Sequence, residues 1–245
     1  MLNSYLLRKL IGTVLVIGAS LLPVKALSQE NKQEQKCNYG GNIALDVNSK
    51  YLLRAIPLSD KMIISPSLTF SNGQITSSVV GIIDPNRQDA NEADIIVDYT
   101  RPLTRHFDLS LGYTYVNFPD VGEKTQEVYS GLSFNTGLNP GIFVYWDFDF
   151  LTGTYIEASI AKDFKIGYID LETKLNLAYN HRYFREGSGF SHLNPSIILP
   201  LKLSDKVKLT GRVNYVKVLN NEYIEDLDKS FKDKLVYGVG INVGL

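Results

Sequence analysis

The sequence is poor in several features that would point to other classes of protein. It has a single cysteine, Cys37, in 245 residues, so no disulfide can form within the chain. Its 25 Lys and Arg and 26 Asp and Glu residues are mixed along the chain, which leaves no basic footprint for nucleic acid. After residue 28, no segment spaces its apolar residues by three and four for long enough to predict a helix. Tyrosine and glycine are plentiful, with 15 and 19 residues, as is typical of β-proteins with aromatic rims.

The N-terminus has the features of a cleavable secretory signal, which we assign to residues 1–28. Arg8 and Lys9 precede an uncharged apolar stretch at 10–22, and small residues flank the triplet 26–28, as in a cleavage site. The apolar stretch is shorter than the roughly 20 residues that cross a bilayer as a helix, so a membrane anchor is the weaker alternative. The chain is therefore predicted to be exported.

The rest of the chain is predicted to form a short leader and one domain. Residues 29–40 begin with a polar, amide-rich run and favour a flexible periplasmic leader. Over 41–245, apolar and polar residues alternate. In 107–115, for example, every second residue is Phe, Leu or Tyr, and the residues between are Asp, Ser, Gly and Thr. Because successive strand side chains point to opposite faces, such a segment has one apolar face and one polar or small face.

This alternation predicts an all-β fold, a closed antiparallel transmembrane β-barrel of about 12 strands (about 10–14) of the outer-membrane kind. Within lipid, only a helix or a closed barrel pairs every backbone polar group, and no apolar helix remains after the signal. The predicted strands are 42–56, 62–70, 74–84, 92–102, 106–118, 125–136, 140–149, 153–163, 167–181, 190–203, 206–219 and 233–245.

The connections between these strands favour a membrane barrel over a soluble sandwich. With the N-terminus in the periplasm, odd-to-even connections should be surface loops and even-to-odd connections short turns. The loops expected at the surface are long and charged at 84–91, 119–124, 182–189 and 220–232, whereas 150–153 is a short exception. The sequence leaves open whether the longest of them folds back into the barrel mouth.

Aromatic residues cluster where three of the predicted strands end. Amphipathic rings settle at the headgroup level of a bilayer, so we expect these rings at the membrane interfaces. They are Tyr113, Tyr115, Phe118, Trp146, Phe148, Phe150, Tyr179, Tyr183 and Phe184. Ordinary packing in a β-core is the alternative for them.

Several short motifs after the predicted signal are similar to those of a known family. In that family the first strand typically opens with Ser-Asp-Tyr-x-x-Arg-Gly, and residues 49–55 match it as Ser-Lys-Tyr-Leu-Leu-Arg-Ala. The segments 139–140, 145–147 and 153–157 are similar to the family's Pro…Tyr-Tyr-Asp…Gly-Thr-Tyr-x-Glu signature. With these motifs the chain resembles the TorF-like family of proposed porins, formerly described as conserved proteins of unknown function. The resemblance covers most of the chain after the signal. It implies an outer-membrane barrel with a proposed porin function and no catalytic residue.

The histidines are the candidate bases for a barrel enzyme, since a nucleophile needs a base within hydrogen-bonding reach. Ser191 and His192 are adjacent, but neighbouring strand residues face opposite sides, so we expect no dyad there. His181, Ser188 and Glu186 belong to one loop region, where a solvated surface is the favoured interpretation. We therefore predict that the chain is not an enzyme.

The informative polar residues are those on the strand faces opposite the apolar ones. A basic side chain facing the middle of the lipid costs about 2–4 kcal/mol, so charged side chains should face inward and line a pore. The candidate pore-lining residues are Lys50, Arg54, Asp98, Asp108, Glu157, Glu172, Lys174, Lys208 and Arg212. Both signs are nearly balanced, so strong ion selectivity is not expected. The acidic runs at 84–89 and 222–228 match no calcium-loop spacing, and no metal or cofactor is predicted.

The function that the sequence favours is a porin-like barrel in the cell outer membrane, for passive diffusion of small polar solutes. One alternative is a plugged structural or surface-interaction barrel, in which acids and bases pair across the lumen. A lipid-modifying barrel enzyme is the third and least favoured reading. The expected partners are outer-membrane lipids, the barrel-assembly and periplasmic chaperone machinery, and small polar solutes, with no nucleic acid.

Overall fold

A computed structural model describes residues 39–86, 89–120, 122–183, 187–219 and 233–245. The predicted signal, nearly all of the leader and the predicted loop 220–232 lie outside these residues. In the described part of the chain there are fourteen strands, and twelve of them close into one antiparallel barrel. The strands are β1 Tyr39–Asn48, β2 Tyr51–Leu53, β3 Ile56–Ser59, β4 Ile63–Asn72, β5 Ile75–Asp84, β6 Asp89–Pro102, β7 Phe107–Phe118, β8 Glu123–Phe134, β9 Gly141–Asp147, β10 Gly153–Ile166, β11 Ile169–His181, β12 Ser188–Lys202, β13 Val207–Val218 and β14 Lys234–Gly244.

The barrel closes between its first and last strands. β1 pairs with β4 on one side and with β14 on the other, and the remaining strands pair in sequence order. Closure leaves no strand edge unpaired, as a sheet surrounded by lipid requires. The predicted closed antiparallel barrel of about twelve strands is confirmed. Among the described residues, no helix is long and apolar enough to cross a membrane.

The outward face of the barrel is apolar, and it alternates with the inward face along each strand. In β9, for example, Ile142, Val144 and Trp146 are exposed on the outside, while Tyr145 and Asp147 between them are buried inside. The same alternation continues around the barrel, where the exposed apolar residues include Ile43, Leu45, Val79, Ile95, Val97, Leu111, Ile197, Val213, Val239 and Ile241. Such a belt of apolar side chains suits contact with lipid chains.

The first predicted strand, 42–56, is wrong at its end. β1 begins at Tyr39, inside the predicted leader, and ends at Asn48. Residues 49–62 then leave the barrel wall as a separate two-stranded sheet of β2 and β3, which we call the inward hairpin. The reversal is a two-residue turn in which Arg54 and Ala55 both have positive φ, 46° and 72°. Turns of this kind match the twist of a β-hairpin, so the chain folds back where alternation alone suggested one long strand.

Two ends of the barrel can now be distinguished. The hairpin end carries the inward hairpin and the last residues of β5, β7, β9, β11 and β13. The terminal end carries the start of β1 and the end of β14, together with tight turns such as the β4–β5 turn at Gly73 and the β10–β11 turn at Gly167. Both glycines have positive φ, 60° and 62°, which a residue without a Cβ adopts at little cost.

The predicted interfacial aromatic residues divide into two groups. Trp146 and Phe148 are exposed on the outer surface, at the hairpin end of the barrel, as expected of rings at an interface. The prediction is wrong for Phe118 and Tyr183, because these side chains are 4% and 1% exposed and pack in the interior. Phe184 lies outside the described residues. An aromatic ring suits a lipid interface and a packed core equally well, so composition alone could not separate the two positions.

Candidate functional site

The inward hairpin is fixed at its base to the barrel wall. The backbone N–H of Ser49 donates to the carbonyl oxygen of Tyr237 in β14 at 2.8 Å. At the other side of the base, the Asp60 carboxylate accepts from the ammonium of Lys234 at 2.8 Å and from that of Lys50 at 3.3 Å. Partial burial acts to raise the pKa of Asp60, but the hydrogen bonds and charges of Lys234 and Lys50 outweigh it and hold this pKa below its usual range.

The tip of the hairpin is buried against the inner wall. Leu53 and Ile56 join a core cluster with Leu151, Ala178 and three tyrosines of the wall. Tyr51, nearer the base, packs with Ile63 and Ile82 in a second cluster. In a water-filled lumen these apolar side chains would be exposed, but here they pack against the inner wall. The hairpin therefore fills the lumen at the hairpin end with a small hydrophobic core of its own.

Arg54, at the tip of the hairpin, is held by four groups at once. Its two terminal guanidinium nitrogens donate to the two carboxylate oxygens of Glu127 at 2.6 and 2.7 Å. Its guanidinium carbon lies 4.5, 4.4 and 4.3 Å from the ring centroids of Tyr145, Tyr155 and Tyr183, which we call the tyrosine cage. A cation over an aromatic face gains about 0.5–2 kcal/mol. Removing one partner of a buried ion pair costs about 3–5 kcal/mol, so Glu127 contributes more to the placement of Arg54 than any single ring does.

The cage tyrosines belong to the barrel wall and to the segment that follows β11. Tyr129, Tyr145 and Tyr155 are direct cross-strand neighbours in β8, β9 and β10, and form a row of rings on the inward face. Tyr183 follows β11, where its backbone N–H donates to the Asn180 side chain at 2.8 Å. The Asn180 amide donates back to the Tyr183 carbonyl at 2.9 Å. This reciprocal pair fixes the ring of the third cage residue over the guanidinium.

The pore-lining candidates do not form one site. Arg54 belongs to the hairpin, as does Lys50, although both were expected on the face of one strand. Deeper in the barrel, two candidates form an ion pair of Lys174 with Glu157 at 3.2 Å. Arg212 pairs instead with Asp46, across the junction where β14 meets β1.

The remaining candidates have neutral partners or face open space. Asp98 accepts from the hydroxyl of Tyr129 at 2.7 Å, and Asp108 accepts from the side-chain amide of Asn135 at 3.0 Å. Glu172 is half-buried near the terminal end, and Lys208 is exposed there. Whether these nine residues line a conducting pore stays a prediction.

The most deeply buried charged side chains of the described residues are acidic. Eight carboxylate side chains of the described residues are buried, whereas no Lys or Arg among these residues is buried to the same degree. The eight are Asp84, Glu92, Asp94, Asp98, Asp108, Glu127, Asp147 and Glu157. Within the described part of the chain, no cationic partner is found for Glu92, Asp94, Asp98, Asp108 and Asp147. Where these carboxylates are ionised, they attract cations and repel anions.

Sequence reasoning missed four residues of this site: Glu127 and the tyrosine cage. Glu127 could have been predicted from the sequence, because it shares the inward register of β8 with Thr125 and Tyr129, opposite the exposed Val128. The cage could not, because Tyr145 and Tyr155 are separated from Arg54 by some ninety to a hundred residues and no local pattern links them. Asp147, in turn, accepts from the hydroxyl of Thr125 and stabilises the β9–β10 connection.

The expectation that Ser191 and His192 face opposite sides is wrong. A β-bulge lies here, because Ala178 pairs with His192 while the next residue, Tyr179, pairs with Phe190. The extra residue turns Ser191 inward, and its hydroxyl lies 3.0 Å from Nδ1 of His192. Both side chains are buried in the wall, so a lipid ester would not reach them in this conformation.

The second histidine site is at the rim. His181 Nδ1 lies 2.5 Å from the Ser188 hydroxyl at an exposed position, and Glu186 lies outside the described residues. Among the described residues, no group of three or more His, Cys, Asp and Glu side chains could hold a metal ion. Among the described residues, the cage with Glu127 makes more contacts to one charged group than either serine–histidine pair does.

Comparisons with known proteins support the fold. No protein-family model matches the chain, and no curated protein matches it. Among solved structures it is similar to the KdgM porin, with a TM-score of 0.56 and 12% identity over 82% of this chain and 98% of that chain. It is also similar to the NanC porin, with a TM-score of 0.53 and 12% identity over 84% of this chain and 100% of that chain. For an outer-membrane channel from Pseudomonas putida F1, the TM-score is 0.55 and the identity 8%, over 88% of this chain and 100% of that chain. At these identities the likeness shows the fold alone: a closed barrel of the kind seen in porins and outer-membrane channels.

Proposed function

We propose that this protein is a narrow outer-membrane channel for small polar solutes, closed at its hairpin end in the conformation described. The observation that carries the proposal is a closed barrel with an apolar outer belt, whose interior has charged side chains and holds a hairpin that forms no ladder with the wall. A barrel with no transport role could bury an apolar core throughout, as soluble barrels do. A lumen lined with charged and polar side chains can compensate polar solutes for lost hydration.

The interior favours cations and neutral solutes over anions. The KdgM porin has been solved in complex with an oligogalacturonate, a polyanion. The interior of this chain has buried carboxylates such as Asp98 and Asp108 that hydrogen-bond to neutral groups, so a polyanion would meet repulsion here. The shared fold is therefore no reason to expect that this chain transports the same solute.

Membership of the TorF-like family and export belong to the same proposal. The motifs that carry the resemblance supply Arg54 from 49–55, Tyr145 from 145–147, and Tyr155 from 153–157, so the matching residues meet at one place in the lumen. A signal at 1–28 and insertion by the barrel-assembly machinery would bring the chain to the outer membrane. Its apolar belt would then contact the lipids.

The packed hairpin favours one second candidate, a permanently plugged barrel with a structural or surface-interaction role. Both candidates contain the same ion pair and the same cage, and they differ only in whether the hairpin ever leaves. The enzyme alternative gains no comparable support, because the Ser191–His192 pair is buried.

Single-channel recording in planar bilayers tests the proposal. The refolded chain should give discrete current steps, and a KCl gradient should give a reversal potential of the sign that K⁺ preference requires. Asp98→Asn should weaken this preference, whereas Asp205→Asn, in an exposed turn at the terminal end, should leave it unchanged. Anion preference would contradict the proposal. So would silence from folded, inserted protein after the hairpin has been loosened by Leu53→Ala, and silence would favour the plugged barrel.

A further inference from the structure

We propose that Glu127 and the tyrosine cage form a binding site for guanidinium-bearing solutes, and that Arg54 occupies it as a ligand built into the chain. The inference rests on the proposed function, because it names the class of solute that the channel recognises. Its test is arranged so that the two can fail separately.

The geometry around Arg54 contains the groups that recognise a free guanidinium ion. A carboxylate accepts two parallel hydrogen bonds from the planar fork, at 2.6 and 2.7 Å. Three aromatic rings surround the same carbon at 4.3 to 4.5 Å. A planar, weakly hydrated cation fits such a site better than an ammonium, which has no fork to match the carboxylate. Nothing in these contacts requires that the guanidinium belong to the same chain.

The walls of the site and its occupant belong to different parts of the fold. Glu127 is in β8, Tyr145 in β9 and Tyr155 in β10, all strands of the closed barrel. Arg54 is in a sheet of two short strands that form no ladder with the barrel. The hairpin can therefore leave without breaking the ladder of the wall, and the site would remain assembled around an empty position.

Backbone conformation at the tip also favours exchange. Arg54 and Ala55 both have positive φ, at 46° and 72°, although neither is a glycine. Side chains with a Cβ adopt this region at a cost, so contacts at the tip have to offset it. A solute that competes for Glu127 and the cage would remove those contacts and leave the strain.

The charges around the site add attraction for a cation. Asp147 is the direct cross-strand neighbour of Glu127, and both side chains face inward. Glu157 is on the same face of β10 as Tyr155, two residues further along the strand. Opposite these acids, Lys174 reaches only Glu157 among the described residues. A cation that replaced Arg54 would therefore enter a region with an excess of negative charge.

The test uses Arg54→Ala, which leaves the site unoccupied, with methylguanidinium as the probe. The variant should conduct more than the parent, and millimolar methylguanidinium should block its current. The block should exceed that by urea, a neutral molecule of similar shape, by roughly tenfold or more. Tetramethylammonium, a cation without the planar fork, should be intermediate. The parent, with Arg54 in the site, should be blocked least.

Second-site variants locate the block. In the Arg54→Ala background, Glu127→Gln and Tyr155→Leu should each weaken it roughly tenfold. Glu172→Gln, which removes an acid near the terminal end, should not change it. If Arg54→Ala does not fold, Arg54→Gln replaces it, because the glutamine keeps an apolar stem and a hydrogen-bonding group.

A second readout separates this proposal from the channel function. Methylguanidinium should raise the thermal unfolding midpoint of Arg54→Ala in detergent, and urea at the same concentration should not. A conducting variant with neither block nor midpoint shift would overturn the binding site and leave the channel standing. A silent variant whose midpoint rises with the probe would support the site and overturn the channel.

Discussion

The two halves of the barrel share one outer belt but differ on the inside. In the hairpin half, the inward residues are large and buried, as with Tyr145, Tyr155 and Phe118. In the terminal half, the same register carries small residues such as Ser133 and Ser159, which are only half-buried. The barrel wall is continuous between them, so the difference lies in what fills the lumen. Tyr145 and Tyr155 are large where the hairpin supplies a partner surface for them.

The comparison places the constriction in the hairpin half. Single changes there should alter hairpin docking and conduction together, and equivalent changes in the terminal half should alter neither by much. Closed barrels draw most of their stability from the ladder and the lipid-facing belt, so the hairpin can loosen while the wall remains folded.

Leu53→Ala should have the largest effect. The side chain is buried in the hairpin's core cluster, and truncation of a buried leucine costs about 2–5 kcal/mol. The loss falls on hairpin docking, so amide exchange over 49–62 should rise and conductance should increase. The matched control is Ile198→Ala, which removes an aliphatic side chain from the half-buried inward face of β12. Equal exchange at the hairpin in both variants would show that the two halves do not differ as described.

Gly153→Ala should come next, because the first residue of β10 lies against the cage. A Cβ there would be 2.3 Å from the backbone nitrogen of Tyr183 and 2.4 Å from the carbonyl carbon of Arg182. Neither backbone atom can rotate away, so overpacking should cost about 1–3 kcal/mol and displace the Tyr183 ring. The thermal midpoint should fall and the Arg54 site should loosen.

At the terminal end, Gly244→Ala should have little effect. Its Cβ would meet nothing closer than 3.7 Å, which is ordinary contact. A midpoint loss as large as that of Gly153→Ala would mean that tight packing extends over the whole barrel. The contrast between the halves would then be lost.

The wall was predictable from sequence and the hairpin was not, for one physical reason. Alternation is a local property, and segments such as 107–115 fix a strand, its two faces and its place in a barrel. Every predicted barrel strand after the first overlaps an observed one. The first arm of the inward hairpin continues the alternation of β1, so the pattern does not mark where the chain leaves the wall. The turn there depends on positive φ at Arg54 and Ala55, which these residue types do not predict.

The site was out of reach for a related reason. Arg54 and Glu127 are separated by 73 positions in the chain and meet only because β1 closes on β14 and the hairpin enters the lumen. The β-bulge at Ser191 is a further case, since one inserted residue reverses the face of a side chain. Local periodicity gives the scaffold, and the contents of the lumen depend on pairs that are distant in sequence.

Ala55→Gly should have a smaller effect, of the opposite sign. Ala55 has a φ of 72°, where a Cβ costs about 1–2 kcal/mol, and the added freedom of glycine in the unfolded chain returns part of this. The net result should be about 0.5–1 kcal/mol of tighter hairpin docking, measured as slower amide exchange over 49–62. Gly73→Ala is the reciprocal change at the terminal end, where φ is 60° and a Cβ would meet nothing within 4 Å. It should destabilise its turn by a similar amount without any effect on the hairpin, and faster hairpin exchange in Ala55→Gly would contradict the assignment of strain to the tip.

The smallest expected effect is the pH response of the hairpin base. The pKa of Asp60 lies below its ordinary value of 3.8, so the folded base favours the ionised carboxylate. A depressed pKa stabilises the folded form above 3.8, and this stabilisation is lost as the pH falls through the lower folded value. Protease resistance of residues 49–62 should therefore be flat from neutral pH down to about 5 and decrease only below that ordinary value.

Asp60→Asn is the variant that isolates this response. The informative quantity is the difference in protease resistance between the parent and Asp60→Asn over the acidic range, because the subtraction removes acid effects that do not involve Asp60. That difference should close as the pH falls, because protonation makes the parent resemble the variant. Asp205 is the counterpart at the terminal end: its hydrogen bond with Lys202 lowers its pKa too, but it touches no part of the hairpin. If Asp205→Asn changed the acid response of the hairpin as much as Asp60→Asn, the response would belong to the net charge of the barrel and the base would not be its origin.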